Sequence, residues 1–120
     1  MSENTQTNER ITIEKAGHPV SITFEGAVLA STKDALVLKE KGYDPVYYIP
    51  KDHVAMPFLK ESETKTTCPH KGEARYWNIS AEGKAAPDAV WAYDEPYGAV
   101  RDIAGHVAFD RSKVTIDDGK

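Results

Sequence analysis

Cys68, His70 and Lys71 fall within four residues in the stretch "TTCPHKGEARYW", Thr66 to Trp77, and these residue types make and stabilise nucleophiles. In an extended chain alternate side chains share a face, so Thr66, Cys68 and His70 project together and Lys71 to the other side. Pro69 restricts the backbone between thiol and imidazole, and Gly72 permits a bend that swings Lys71 back toward the thiol. Cationic neighbours favour the thiolate that nucleophilic catalysis uses. On that reading Cys68 is the nucleophile, His70 or Lys71 the activating group, and Thr66 or Thr67 a polar helper. The competing reading is packing: free cysteine is among the most buried residue types and often acts as a small apolar filler.

The same stretch offers a binding surface. Lys71, Glu73 and Arg75 alternate on the face opposite His70, forming either cross-strand ion pairs or a wall that grips an anion. Around them stand Tyr47, Tyr48, Tyr76, Trp77, Trp91, Tyr93 and Tyr97, close to strand ends and turns. Most aromatic residues in a small domain are core. Adjacent residues of a strand nevertheless point to opposite faces, so one member of each pair Tyr47-Tyr48 and Tyr76-Trp77 must leave the core. A pocket walled by Tyr48, Trp77, Trp91 and Tyr93, with Lys71, Glu73 and Arg75 at its rim, suits a planar, anionic small molecule.

Metal chemistry is not expected. His18, His53, His70, His106 and Cys68 supply donors, but a lone Cys-x-His lacks the second short-spaced ligand pair of a zinc site. There is no glycine-rich phosphate loop, and Gly72 has a backbone explanation. No cofactor is expected.

The elements that must position these residues are strands. "RITIE" and "HPVSITFEG" alternate, with Ile11, Ile13, Val20, Ile22 and Phe24 on one face. Gly26 turns the chain between "SITFE" and "AVLAS", an early antiparallel hairpin. Leu36 and Leu38 alternate with Val37 and Lys39, which favours a strand over a short helix capped by Thr32. "PVYYIP" is a strand bracketed by prolines, which suggests an edge or a strand end. "EARYWNIS" and "DAVWAYDEP" follow, separated by a turn at Gly83, with Val90 and Ala92 opposite Trp91 and Tyr93. "YGAVRDIAG" makes one or two helical turns ending at Gly105 before "HVAFD" returns to strand. Short strands, frequent turns and at most one or two short helical turns define a mainly β domain.

Taken together, "YYIPKDHV", "TTCPHKGEARYW", "VWAYDEPY" and "IAGHVAF" resemble, in order and spacing, a bacterial and fungal family known as domain of unknown function family 427, sometimes labelled nucleotidyltransferase-like. The resemblance covers most of Val20 to Phe109. It implies a compact single domain of two small antiparallel sheets meeting at an angle, similar to the Mss4-like or β-tent architecture. Relatives of that architecture bind zinc through paired CxxC motifs, which this chain lacks, and the spaced carboxylates of metal-dependent nucleotidyltransferases are also missing. Two residues depart from the family's pattern: His70 stands where Tyr or Trp is usual, and Lys51 where Arg is usual.

The 120 residues suit one domain, with an arm at 1–9, the β domain at 10–112 and a frayed tail at 113–120. A formal charge of −4 provides no overall field for a phosphate backbone, so nucleic acid is not an expected partner. No apolar run reaches the roughly 20 residues of a membrane span, and the start carries no signal-peptide pattern, so the chain reads as cytoplasmic. The single cysteine cannot form an internal disulfide and fits a reducing compartment. Ligand binding is the first functional reading and a Cys68-dependent enzyme the second. The third is an interaction domain whose exposed β edge or aromatic patch binds a protein partner or a second copy of the chain, a homodimer burying the "YYIP" edge.

Overall fold

The computed structural model describes residues 11–119. The expected arm at 1–9 lies outside them. In chain order the strands are β1 (Ile11–Lys15), β2 (Val20–Phe24), β3 (Ala27–Thr32), β4 (Leu36–Glu40), β5 (Val46–Pro50), β6 (Leu59–Cys68), β7 (Gly72–Ala81), β8 (Lys84–Tyr93), β9 (His106–Phe109) and β10 (Thr115–Asp117). Among the described residues helical structure is confined to short 3-10 turns at Lys51–His53, Met56–Phe58 and Gly98–Ile103. The fold is mainly β, and all its strand pairs are antiparallel.

Two sheets result. The larger has the order β1-β4-β5-β9-β8-β7-β6, and the smaller β10-β2-β3. Two hairpins have the left-handed residue pairs that match strand twist: Glu25-Gly26 with φ of 51° and 87° joins β2 to β3, and Glu82-Gly83 with 54° and 74° joins β7 to β8.

The alternation of β7 and β8 divides their side chains between two apolar clusters. Trp77, Ile79, Val90 and Ala92 face the small sheet and pack with Val20, Ile22, Phe24 and Leu29. Ala74 and Tyr93 face the other way, with Ile11, Leu38, Tyr48, Val100 and Ile103, and Tyr76 and Trp91 pack against this second cluster. That second face is only partly roofed, by the 3-10 turn at Gly98–Ile103 touching β1. The remainder of the face bears the cavity described below.

Of the two placements expected for "PVYYIP", strand end holds and edge does not: β5 lies between β4 and β9, with Pro50 as its last residue, so proline costs the interior of the strand no ladder donor. Two further expectations are corrected. The residues expected to fray include β10, held to β2 by the register Thr115↔Thr23 to Asp117↔Ser21. The apolar positions of β1 and β2 do not share one face: Ile11 and Ile13 join the second cluster, whereas Val20, Ile22 and Phe24 join the first. The turn between them, with Gly17 at φ 79°, carries the chain from one sheet to the other.

Candidate functional site

β6 ends at Cys68, directly opposite Gly72, so Pro69, His70 and Lys71 form the hairpin loop rather than a continuation of the strand. His70 therefore does not share a strand face with Cys68. It sits exposed on the loop at the cavity mouth. The bend at Gly72 brings Lys71 back as its backbone freedom suggested: Lys71 Nζ lies 3.7 Å from Cys68 Sγ. The same ammonium donates to Glu40 Oε1 at 2.8 Å, and the two side chains are only 13% and 8% exposed. An ion pair this deep is stabilised against water competition, and each partner depends on the other to offset its own desolvation.

The loop is held from behind. Tyr97 N–H donates to the Lys71 carbonyl at 3.0 Å. Gly72 has φ 118°, and a methyl group there would meet the Glu95 carbonyl oxygen at 3.3 Å. Only glycine fits that approach without strain.

These groups form one end of a cavity of about 560 Å³ between β4–β5 on one side and β6–β8 on the other. Of the residues singled out in the sequence, Tyr48, Cys68, His70, Lys71, Trp91 and Tyr93 line it. Trp91 Nε1 donates to the Tyr48 hydroxyl at 3.3 Å, linking β8 to β5 across the cavity floor. Burial pushes the Tyr48 phenol up to about 12, with the Trp91 hydrogen bond opposing the shift. Tyr93 is also raised, mainly by burial, with Tyr48, Cys68 and Tyr76 adding to the effect. Both phenols are neutral at physiological pH, and the Tyr48 hydroxyl accepts the Trp91 hydrogen bond.

Glu73, Arg75 and Trp77 are elsewhere. The row Lys71, Glu73, Arg75 does not form one wall, because Lys71 is a loop residue while Arg75 follows the strand alternation onto the opposite face of β7. Arg75 Nη1 bonds Glu61 Oε2 at 2.6 Å, and its Nε lies 2.8 Å from Asp94 Oδ2, too poorly aligned for a hydrogen bond. Its guanidinium caps the ring of Trp77, 4.5 Å from the centroid, and Trp77 itself is core. Of the three, Arg75 makes a cross-strand ion pair, with Glu61 of β6, while Lys71 pairs with Glu40 from the loop.

Sequence reasoning missed several cavity residues. Tyr76, not Trp77, borders the cavity; the pairwise alternation required one of the two to leave the core, but which one depends on tertiary packing. Its hydroxyl lies 2.9 Å from Thr66 Oγ1, which occupies the proposed polar helper. Glu40, Tyr43, Asp44, Asp88 and Asp110 also line the cavity. They come from turns and strand ends that carry no local motif. Asp88 has φ 52° at an irregularity of β8, accepts hydrogen bonds from Ser62 and Thr64 at 2.6 and 2.8 Å, and is held below the usual carboxylate range by those hydroxyls.

The histidines are dispersed. His53 Nδ1 lies 2.6 Å from Thr32 Oγ1, His106 Nδ1 2.9 Å from the Ala104 carbonyl, and His18 stacks edge-on to Tyr47. Among the described residues no three His, Cys, Asp or Glu side chains converge as a metal site.

The fold and the cavity together define a mainly β domain of two antiparallel sheets, with an aromatic recess on the open face of the larger. The chain belongs to the family described as domain of unknown function (DUF427), whose model matches residues 12–118. No curated protein matches the sequence significantly. Among the described residues no helix is long and apolar enough to cross a membrane.

Proposed function

We propose that the protein binds a small planar ligand in the cavity between β4–β5 and β6–β8. One observation carries this reading: Tyr48, Tyr76, Trp91 and Tyr93, from three different strands, converge on a single recess of about 560 Å³. Recesses of this size with aromatic walls and a few polar groups are where small molecules bind. The anionic, nucleotide-like version of the ligand rests on Lys71 and His70, but Lys71 is already paired with Glu40 at 2.8 Å. Stacking therefore supports the reading better than charge does.

The two tryptophans make the test direct, because Trp91 lines the cavity and Trp77 is buried on the opposite face. In a titration with bicyclic aromatic fragments, the Trp91 indole N–H resonance is expected to move while that of Trp77 stays fixed. A fragment library that leaves Trp91 unmoved ends the proposal.

A Cys68-dependent enzyme is the second reading, favoured by the 3.7 Å approach of the Lys71 ammonium to the thiol at the cavity wall. It requires a turnover that Cys68→Ser abolishes and Lys71→Ala weakens. Docking of a partner or a second copy of the chain is the third reading. Edge pairing would use β1 or β6 of the larger sheet or β10 or β3 of the smaller, and β6 carries Lys60, Glu61, Glu63 and Lys65, which discourage it. A reducing, cytoplasmic setting accords with Cys68 as a free thiol.

A further inference from the structure

The cavity is electrically lopsided along β8. Tyr93 pairs with Ala74 near the β6–β7 loop, so Cys68, Lys71 and Glu40 mark one end. Moving along β8 past Trp91, the chain reaches Asp88, and Asp110 N–H donates to the Ala89 carbonyl at 2.8 Å, which brings Asp110 to the same end. Asp44 approaches from the β4–β5 turn, with its Oδ2 3.5 Å from Arg111 Nη1. Asp44, Asp88 and Asp110 all line the cavity, and Arg111 lines only the adjoining recess that shares Asp44, Trp91 and Asp110 with it. Lys113 lies 3.9 Å from Asp110 but directs its ammonium to the Pro87 carbonyl at 2.7 Å, also outside the lining. The contacts of Arg111 and Lys113 to the carboxylates are long and solvent-exposed, and screening leaves such pairs weak.

The two tryptophans differ in a second way. Trp77 is covered by the chain's own cations, Arg75 at 4.5 Å and Lys51 at 5.5 Å from its ring centroid. Among the described residues no cation of the chain lies over Trp91, whose ring is half-buried and borders the cavity. An indole face beside ionised carboxylates attracts a positive group through its quadrupole as well as through Coulomb's law. Asp88 and Asp110 both titrate below the usual carboxylate range: Asp88 through the Ser62 and Thr64 hydroxyls, and Asp110 because its Ser112 hydrogen bonds outweigh the opposing effect of burial.

We infer that the ligand of this cavity is an organic cation, an aromatic or methylated ammonium whose positive group rests on Trp91 between Asp44, Asp88 and Asp110. The inference builds on the planar-ligand reading and reverses the sign of charge expected from the Lys71 end.

Three probes of matched shape separate the two claims: N-methylquinolinium as the cation, 2-naphthol as the neutral and 2-naphthoate as the anion, each titrated at neutral pH against the Trp91 indole resonance. The expected result is that N-methylquinolinium binds about tenfold more tightly than 2-naphthoate, with a preference that shrinks as salt is raised. Asp44→Asn and Asp88→Asn are expected to weaken the cation about threefold each while leaving 2-naphthol unchanged. Asp44 is exposed, and Asn tolerates the left-handed backbone of Asp88, so both variants retain the fold, as the remaining amide resonances will verify. Equal binding of all three probes, or tighter binding of 2-naphthoate, overturns the cation and leaves the planar ligand standing. A cation preference that survives both substitutions overturns its assignment to this end of the cavity. Silence of Trp91 to every probe removes both proposals.

Discussion

Replacing Gly72 by Ala tests whether the β6–β7 loop is held as tightly as its geometry implies. Two costs add. At φ 118° an alanine is in a region that L-residues rarely adopt, a conformation costing about 1–3 kcal/mol. The new methyl would also sit 3.3 Å from the Glu95 carbonyl oxygen and 3.7 Å from Pro96 Cα, which are backbone atoms, so the loop itself must shift. That shift opposes the 3.0 Å hydrogen bond from Tyr97 N–H to the Lys71 carbonyl. Together the terms come to about 2–4 kcal/mol. At about 5 °C per kcal/mol for a domain of this size, the thermal midpoint falls by roughly 10–20 °C. Gly98→Ala is the matched control, since it has ordinary φ and open space around a new methyl, and its melt is expected within about 3 °C of the parent. The assay is thermal unfolding followed by circular dichroism, with urea midpoints as a second measure. If Gly72→Ala melts within about 2 °C of the parent, the claim that glycine is required at this corner is wrong.

Three further outcomes follow from the cavity's chemistry. Tyr48 titrates near 12 in the folded chain, against 10.0 for the free phenol. Its contribution to stability is therefore complete below pH 10 and lost as pH rises toward 12, about 2–3 kcal/mol in all; urea midpoints between pH 9 and 12 should fall more steeply for the parent than for Tyr48→Phe, and equal slopes would refute it. Lys71→Met removes the 2.8 Å partner of a carboxylate that is 8% exposed and is expected to cost about 2 kcal/mol. Adding Glu40→Gln should restore at least half of that loss, and a double variant no better than the single one would contradict the coupling. Cys68, half-buried at the cavity wall, should react with iodoacetamide in the folded protein; a thiol that waits for unfolding would belong to the core.

Local chemistry made some of this legible in the sequence. Alternation placed Val90 and Ala92 opposite Trp91 and Tyr93, and the structure divides them between the two clusters in that way. Gly26 and Gly83 marked hairpins because a two-residue loop needs left-handed backbone. Gly72 supplied the bend that returns Lys71 to Cys68. What stayed hidden depends on strand order. Nothing in "LVLKE" indicates that Glu40 will meet Lys71, because β4 and β6 are brought together only by the curvature of a seven-stranded sheet. Asp44 comes from a turn, Asp88 from an irregularity inside β8 and Asp110 from just past the end of β9, so the sign of the cavity's charge was not available from any one motif. The proline-bracketed "VYYIP" left edge and strand end equally open, because prolines at the two ends of a strand leave its middle free to pair on both sides.

The open face is unusual in what it leaves uncovered. An antiparallel sheet can leave one face to water, but both faces of this one carry apolar clusters; the small sheet covers one, and a single 3-10 turn covers part of the other. The connections across the middle are thin. β5 meets β9 through Ile49↔Val107 and Pro50↔His106, and β9 meets β8 through Val90↔Phe109 and Trp91↔Ala108. The positions bordering the recess are Tyr48, Tyr76, Trp91 and Tyr93 rather than aliphatic side chains, with Trp91 bonded to Tyr48 and the Tyr76 hydroxyl 2.9 Å from Thr66 Oγ1. Aromatic side chains with hydrogen-bonding tips are suited to surfaces that are apolar at one end and polar at the other. The same wall also keeps an ion pair at 2.8 Å in a place where apolar side chains of similar volume would be at least as stabilising. The ligand proposed above would supply cover that the chain's own side chains do not, and would give both choices a role.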